Sequence, residues 1–334
     1  MSGQAVRHDV VVMGDFDAPL LSVWETIALR SAMPTVFSTR PWLRAWRAFY
    51  GRGDLLLAAH VEDGRTSAVA PLFADEDGWV YFVGSGGSDY LDFIGCLDSS
   101  NALAAMLAAV RERVPHFQGF RFYHVPGRSP TGALLRHAAG LLSLDWEQEG
   151  TMAAPEMSMA AVDDAIAKKS LRRHCSYFER EGGYVAKHHA HGAEIGPLLD
   201  GFFEQHVQRW SGTAHPSLFN NPTHRAFYRR LAAESDASRW LRFTAIEWQG
   251  RIVAYHFGFS FAGRFTWYKP TFDIALARRS PGEVLLRELL VRARTEDAGV
   301  FDFGIGDEPF KQRFATTVPV VNTFALVPAQ KAGR

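Results

Sequence analysis

The sequence predicts two similar α/β halves in tandem, each built from hairpin strands and flanking helices, and three observations carry that expectation. The chain has 334 residues, 47% hydrophobic and 22% charged, which is enough for two cores of ordinary size. From Asp54 the hydrophobic period changes from helical to strand-like, and such changes recur along the chain. Placing Gly64 on Gly250 aligns LLLAAHVEDGRTSAVAPL with LRFTAIEWQGRIVAYHFGF, hairpin on hairpin, and each is followed by a further strand and a helix. A period this long marks duplicated domains rather than a solenoid. The halves are placed at 1–155 and 156–334.

In the first half a strand over 8–13 precedes two stretches, 20–31 and 41–50, in which Leu, Trp, Ile and Phe recur at helical spacing. Pro41 suits a first helical turn behind Thr39 as a cap. Two apolar runs around Glu62-Asp63-Gly64-Arg65 form a hairpin. A strand over 79–84 ends in a glycine-rich loop over 84–90. A helix over 102–113, a strand over 119–125 and a helix over 131–139 follow.

The second half opens near Ser158 with a basic amphipathic helix, KKSLRRHCSYFEREGG, closed by Gly182-Gly183. A strand over 184–188 and helices over 195–210 and 223–234 come next. Three strands then join at Gln249-Gly250 and Ala262-Gly263. A helix over 281–297, a strand over 300–303 and the loop GIGDEPFKQRF close the pattern.

Thirty-six basic residues balance thirty-six acidic ones, so no global field recruits nucleic acid or an anionic membrane. Cys96 and Cys175 lie far apart, signal neither zinc nor a redox pair, and are expected to be buried. No metal is expected. The N-terminus lacks the pattern of a secretory signal and no apolar run is long enough to span a bilayer. A cytoplasmic protein is expected, with peripheral membrane contact left open. No P-loop, G-x-G-x-x-G, H-E-x-x-H or G-x-S-x-G motif occurs.

The run from Gly250 to Arg313, with YKPTFD, RRSPGEVLLRELLVRA and GVFDFGIGDEPFKQRF, resembles the CelD-like acetyltransferases, relatives of cellulose-biosynthesis-associated proteins in the GNAT superfamily. KKSLRRHCSYFEREG and FSTRPWLRAWRAFYGRGDLLLAAHVEDGRTSAVAPLF resemble the group as well, and the doubled arrangement is similar to FemABX-type transferases. The resemblance implies that each half is a mixed, largely antiparallel sheet flanked by helices. It implies an acyl-CoA or acetyl-CoA donor and an amine acceptor, either an amino sugar of a surface or exopolysaccharide or a lipid-like amine such as a sphingoid base. It also implies a degenerate first half on the acceptor side and the acyl-CoA site in the second. An aminoacyl-tRNA-dependent ligase of the FemABX kind and a non-catalytic polysaccharide-biosynthesis protein are the alternatives.

At the cofactor loop the sequence departs from the family. Where GNAT enzymes carry Q/R-x-x-G-x-G/A, this chain reads Arg278-Arg279-Ser280-Pro281-Gly282. The start of a helix with two arginines beside it still suits an anion, so Arg278, Arg279, Ser280 and Gly282 are the expected cofactor-binding residues. A plain capping sequence beside a solvated basic face is the competing reading.

Amide formation from a thioester needs a neutral amine, donors for the oxyanion and a proton for the thiolate. His256 interrupts the apolar strand IVAYHFGF beside Ala254 and Gly258 and is the first candidate base, against a core histidine. Tyr268, at the end of RFTWYK, is a candidate acid for the thiolate, or simply a strand residue. Asp307 and Lys311 crowd the final loop, where a site and a structural ion pair are equally served. In SGGSDYLDF of the first half, Asp89, Tyr90 and Asp92 are expected to hold the acceptor, against a solvated turn.

Overall fold

The computed structural model describes residues 8–329. The hairpins follow from glycine at the turns. β1 (His8–Met13) pairs with β2 (Asp54–Glu62), which turns into β3 (Arg65–Ala74). Asp63 and Gly64 both have positive φ, 46° and 78°, the backbone of a two-residue type I′ turn whose twist matches the strands it joins. β4 (Trp79–Phe82), β5 (Ile94–Gly95), β6 (Gly119–Pro126) and β7 (Leu144–Ala153) complete the first run.

Beyond β7 come β8 (Glu156–Ser158), β9 (Tyr184–His189), β10 (Leu241–Trp248), β11 (Arg251–Phe261), β12 (Arg264–Phe272) and β13 (Val300–Asp302). Gln249-Gly250 (51° and 74°) and Ala262-Gly263 (49° and 75°) repeat the same turn between β10, β11 and β12. This sheet runs β8-β13-β12-β11-β10-β9, with β12 and β13 parallel. The last strand, β14 (Val320–Pro328), joins the other sheet, whose order is β1-β2-β3-β4-β6-β14-β7 with β5 on β3 and with β4 and β6 parallel.

Two compact units result, residues 1–153 with 319–334, and residues 154–318. The expected division at 155/156 falls close to the first crossing. The expectation that everything to residue 334 belongs to the second half does not hold, because β14 lies between β6 and β7 and bonds to both.

In the first unit, the helices Ser100–Arg111 and Thr131–Leu141 bury Leu103, Leu107, Leu135 and Ala138 against Phe82, Phe120 and Phe122. Phe82 and Phe122 meet at 4.7 Å between ring centroids. Each buried Leu or Phe among them contributes about 1.5–3 kcal/mol.

The second unit packs helix Pro281–Thr295 and helix Lys169–Arg180 on its sheet through Leu285, Leu289, Phe178 and Phe265. Gly183 N–H donates to the Phe178 carbonyl at 3.0 Å, with Gly182 at φ 114°, so the glycine pair ends the second of these helices in a Schellman turn. An aromatic cluster of Phe202, Phe219, Tyr228 and Phe257 joins helices Leu199–Trp210 and Pro222–Ala233 to the strands.

Some local expectations shift. The stretch 20–31 holds only a helical turn, Pro19–Leu21, and a five-residue helix, Trp24–Ala28. Thr39 precedes helix Arg40–Tyr50, yet its hydroxyl donates to the Val36 carbonyl and accepts no N–H of the helix. Cys175 is buried, whereas Cys96 is exposed.

Candidate functional site

β12 and β13 pair only over Arg264↔Val300, Phe265↔Phe301 and Thr266↔Asp302. Beyond Thr266, β12 continues alone on that side to Phe272. On its other side β12 carries a bulge: Phe257 pairs with Lys269 and Phe259 with Thr266, so Trp267 and Tyr268 both stand opposite Gly258. A bulge re-aims the backbone of the strand that bears it.

Below this parting lies a pocket of about 180 Å³ lined by Arg209, Trp267, Thr271, Phe272, Ser280, Gly282, Glu283, Leu285, Phe310 and Arg313, among others. Its lining is part apolar and part charged. Within it, Arg313 donates to Glu283 at 2.5 Å. Arg209 donates from Nη1 to the Pro270 carbonyl at 2.9 Å and stacks 4.3 Å above Phe272.

Of the four expected cofactor-binding residues, Ser280 and Gly282 line the pocket. Arg278 and Arg279 do not line it: both are exposed, and Arg279 lies 4.3 Å over the Tyr177 ring. Ser280 sits at φ 54°, a left-handed conformation, and its side chain does not cap the helix, although the helix does start at Pro281 beside two solvated arginines.

His256 is sealed rather than poised. Its side chain is fully buried, and the Tyr268 N–H donates to its Nε2 at 3.4 Å. Its ring stacks against Trp267 with 5.6 Å between centroids. Burial, ahead of every other cause, drives its pKa down to about 3, so the imidazole is neutral at physiological pH. It does not line the pocket. The structure assigns it to the bulge, and a general base working on solvent-delivered amine is not its geometry.

Tyr268 is buried against Phe259 and beneath the Lys269 ammonium, 4.1 Å away. Lys311 is buried and donates to the Ile305 carbonyl and to Glu308, both at 2.8 Å, which ties the final loop together. Asp307 is exposed. Asp302, beside them in sequence, pairs with Arg264 at 3.3 Å, and Arg264 also holds Glu156. The structural ion-pair reading of this segment is the one the geometry supports.

The first unit contains the same parting. β4 and β6 pair in parallel over Trp79↔Gly119, Val80↔Phe120 and Tyr81↔Arg121, after which β6 has no strand partner on that side. Here the opening is filled by the chain's own loop. Leu91 N–H donates to the His124 carbonyl at 3.2 Å, His124 Nδ1 meets the Ser88 carbonyl at 2.9 Å, and Trp42 Nε1 donates to Ser88 Oγ at 2.9 Å.

Tyr90 is buried against Phe37 in the same plug. Asp92 accepts from Thr131 Oγ1 at 2.6 Å and from Phe93 N–H at 2.8 Å, and burial raises its pKa to about 6. A space of about 10 Å³ remains, at most one water's worth. Tyr90 and Asp92 are thus committed to holding the loop, and Asp89 is half-buried beside them. An open acceptor pocket is not built from this trio.

Arg209 and Thr271 were not anticipated. Arg209 lies in the last turn of a predicted helix without any motif, and Thr271 reads as an ordinary strand residue. In the first unit, His8, His60 and Glu62 bring ligand-type atoms within 4.8 Å of one another, but His60 Nδ1 is already bonded to Ser67 Oγ at 2.9 Å.

Residues 166–312 match the family model described as "Acetyltransferase (GNAT) domain". No curated protein is a significant sequence match. Among solved structures, FemX superposes with a TM-score of 0.65 at 9% identity, covering 90% of this chain and 94% of that one. L-PGS from Bacillus licheniformis gives 0.57 at 13%, covering 88% and 93%. A tandem GNAT protein from the clavulanic acid biosynthesis pathway gives 0.53 at 11%, covering 98% and 100%. Identities this low speak for the fold alone. The fold is that of tandem GNAT-type proteins, and the match of residues 166–312 of the second unit to an acetyltransferase (GNAT) domain supports an acyltransferase.

Proposed function

We propose that the protein transfers an acyl group from coenzyme A to an amine, with one donor bound per chain, in the pocket of the second unit. The observation that carries this reading is the contrast between two equivalent partings of parallel strands. One is closed by its own loop to about 10 Å³ and the other is open at about 180 Å³.

The single edge of β12 beyond Thr266 suits an amide-bearing arm, which lies along such an edge as an added strand does. Trp267, Phe272, Leu285 and Phe310 exclude water around a thioester. The bulge gives the strand backbone groups outside the regular ladder, the kind of donor a tetrahedral oxyanion needs. The acceptor amine reaches the thioester carbon as the free base, forms the C–N bond, and the thiolate leaves and takes up a proton.

The amine belongs to an amino sugar of a surface glycan or to a lipid-like base, as the likeness to CelD-like enzymes suggests. The chain would work in the cytoplasm, where acyl-CoA is made. Among the described residues no helix is long and apolar enough to cross a membrane. The likeness to FemX supports a second reading, in which the acyl group arrives on aminoacyl-tRNA.

Thermal denaturation with acetyl-CoA, palmitoyl-CoA, free CoA and aminoacyl-tRNA separates the readings. A donor at about 100 times its dissociation constant adds about 2.7 kcal/mol of stability. Calorimetry should count one CoA per chain. Two per chain would remove the division of labour, and stabilisation by aminoacyl-tRNA alone would replace the donor.

A further inference from the structure

We infer that Arg209 and Thr271 form an anion clamp for a phosphate group of the donor, standing in for the glycine-rich loop that this chain lacks. The inference rests on the reading that a CoA thioester fills the pocket.

The helix start by itself is a poor phosphate site. Pro281 has no N–H, and the Glu283 N–H turns back to the Ser280 carbonyl at 2.9 Å. Glycine is present once where the common loop has it twice. Arg279 lies over Tyr177, and Arg278 is exposed and outside the lining. Arg313, though in the lining, has its charge answered by Glu283.

That leaves Arg209. It lines the pocket, and among the described residues it has no carboxylate partner; its one hydrogen bond is to the Pro270 carbonyl. Burial lowers its pKa to about 10, so it keeps its charge at neutral pH. A half-buried guanidinium without a counter-ion is unfavourable unless an anion completes it. Held flat on Phe272 with one nitrogen engaged, it still offers N–H groups in a fixed plane, the geometry that meets phosphate oxygens in pairs.

Thr271 is the second, independent sign. Its side chain is fully buried, it lines the same pocket, and its Oγ1 has no hydrogen-bond partner. Native proteins seldom leave a buried hydroxyl unmatched without a ligand or water to take it. A hydroxyl donates to a phosphate oxygen as readily as it accepts. With Ser280 and Gly282 in the same lining, together with apolar Trp267, Phe272, Leu285 and Phe310, the pocket fits a phosphate ester that carries an extended apolar or amide tail.

The test is calorimetric titration of the full chain with CoA, pantetheine and inorganic pyrophosphate. Arg209→Met should weaken CoA about 30-fold, the loss typical of a charge-assisted bond, and Thr271→Val about fivefold. Arg209→Lys, which keeps the charge and loses the planar fork, should fall between. Pantetheine, which has no phosphate diester, should change by less than about twofold in every variant.

Melting curves of each variant show whether it is folded, and Arg209→Lys carries the comparison if Arg209→Met is not. Variants that bind CoA as the parent does would overturn the clamp while leaving the donor assignment standing. If the parent binds no CoA, the donor assignment falls. Pyrophosphate then decides the clamp alone: binding that is lost in the Arg209 variants keeps it, and no binding ends it.

Discussion

His256 shows how far a single residue can be read. A histidine inside an apolar strand is visible in the sequence, and so is the small Gly258 two places on. What the sequence hides is that the imidazole leans over Gly258 into the bulge. A Cβ on Gly258 would stand 2.1 Å from His256 Cε1, 2.3 Å from its Nε2 and 2.4 Å from the Thr266 carbonyl. Gly258→Ala should therefore cost about 1–3 kcal/mol, as overpacking does, and abolish turnover by displacing the bulge. Urea unfolding and a rate assay check both, and a well-folded active variant would show that the ring has another place to go.

His256→Gln should leave the shape of the pH–rate profile from 6 to 9 unchanged. A basic limb that vanished with the ring would restore its role as base. His206 shares the same physics: it is buried beside Ser217 and its pKa is driven to about 3, again by burial first. Both rings stay neutral in the folded chain while the unfolded chain protonates them below about 6.5. The unfolded state then binds more protons, so stability falls with falling pH, by up to about 1.4 kcal/mol per unit for each ring between about 6.5 and 3. Unfolding free energies at pH 7, 5.5 and 4.5 should slope more steeply for the parent than for His206→Gln. Equal slopes would mean that the ring takes a proton inside the fold.

Among elements, those with local chemistry were legible. The three Xaa-Gly hairpins form where Asp63-Gly64, Gln249-Gly250 and Ala262-Gly263 stand, because the second position of each turn needs a positive φ that glycine adopts without steric cost. β7 and β14 escaped notice. β7, LDWEQEGTMA, lies at the sheet edge with most positions exposed, so it carries little hydrophobic alternation. β14 pairs with strands far away in sequence, and such pairing leaves no local mark. The pocket was half legible: Ser280 and Gly282 declare a helix start, but Arg209 and Thr271 become neighbours only when helix Leu199–Trp210 packs on β12. Likewise the plug over Ser88 and Leu91 reads as a solvated glycine loop until β6 is placed beside it.

For the whole molecule, the order of the strands sets a prediction of its own. β14 lies inside its sheet, bonded on both edges, so truncation after Val318 removes ladders from β6 and β7 together. Two unfolding transitions should appear, the first unit melting earlier by several degrees and the second near the parent value. A single unshifted transition would show that β14 is dispensable.

The same placement also bears on how the protein is made. A ribosome completes β7 and then all of residues 154–318 before Val320 is added, although domains ordinarily fold in the order they are synthesised. The first sheet is thus left with a vacant lane between β6 and β7 while the second unit forms. A nascent chain at that stage offers two unpaired strand edges, the kind that other chains add to, and its exposure lasts as long as the translation of the second unit. Slow codons within 154–318 would therefore lengthen the danger to residues synthesised long before them.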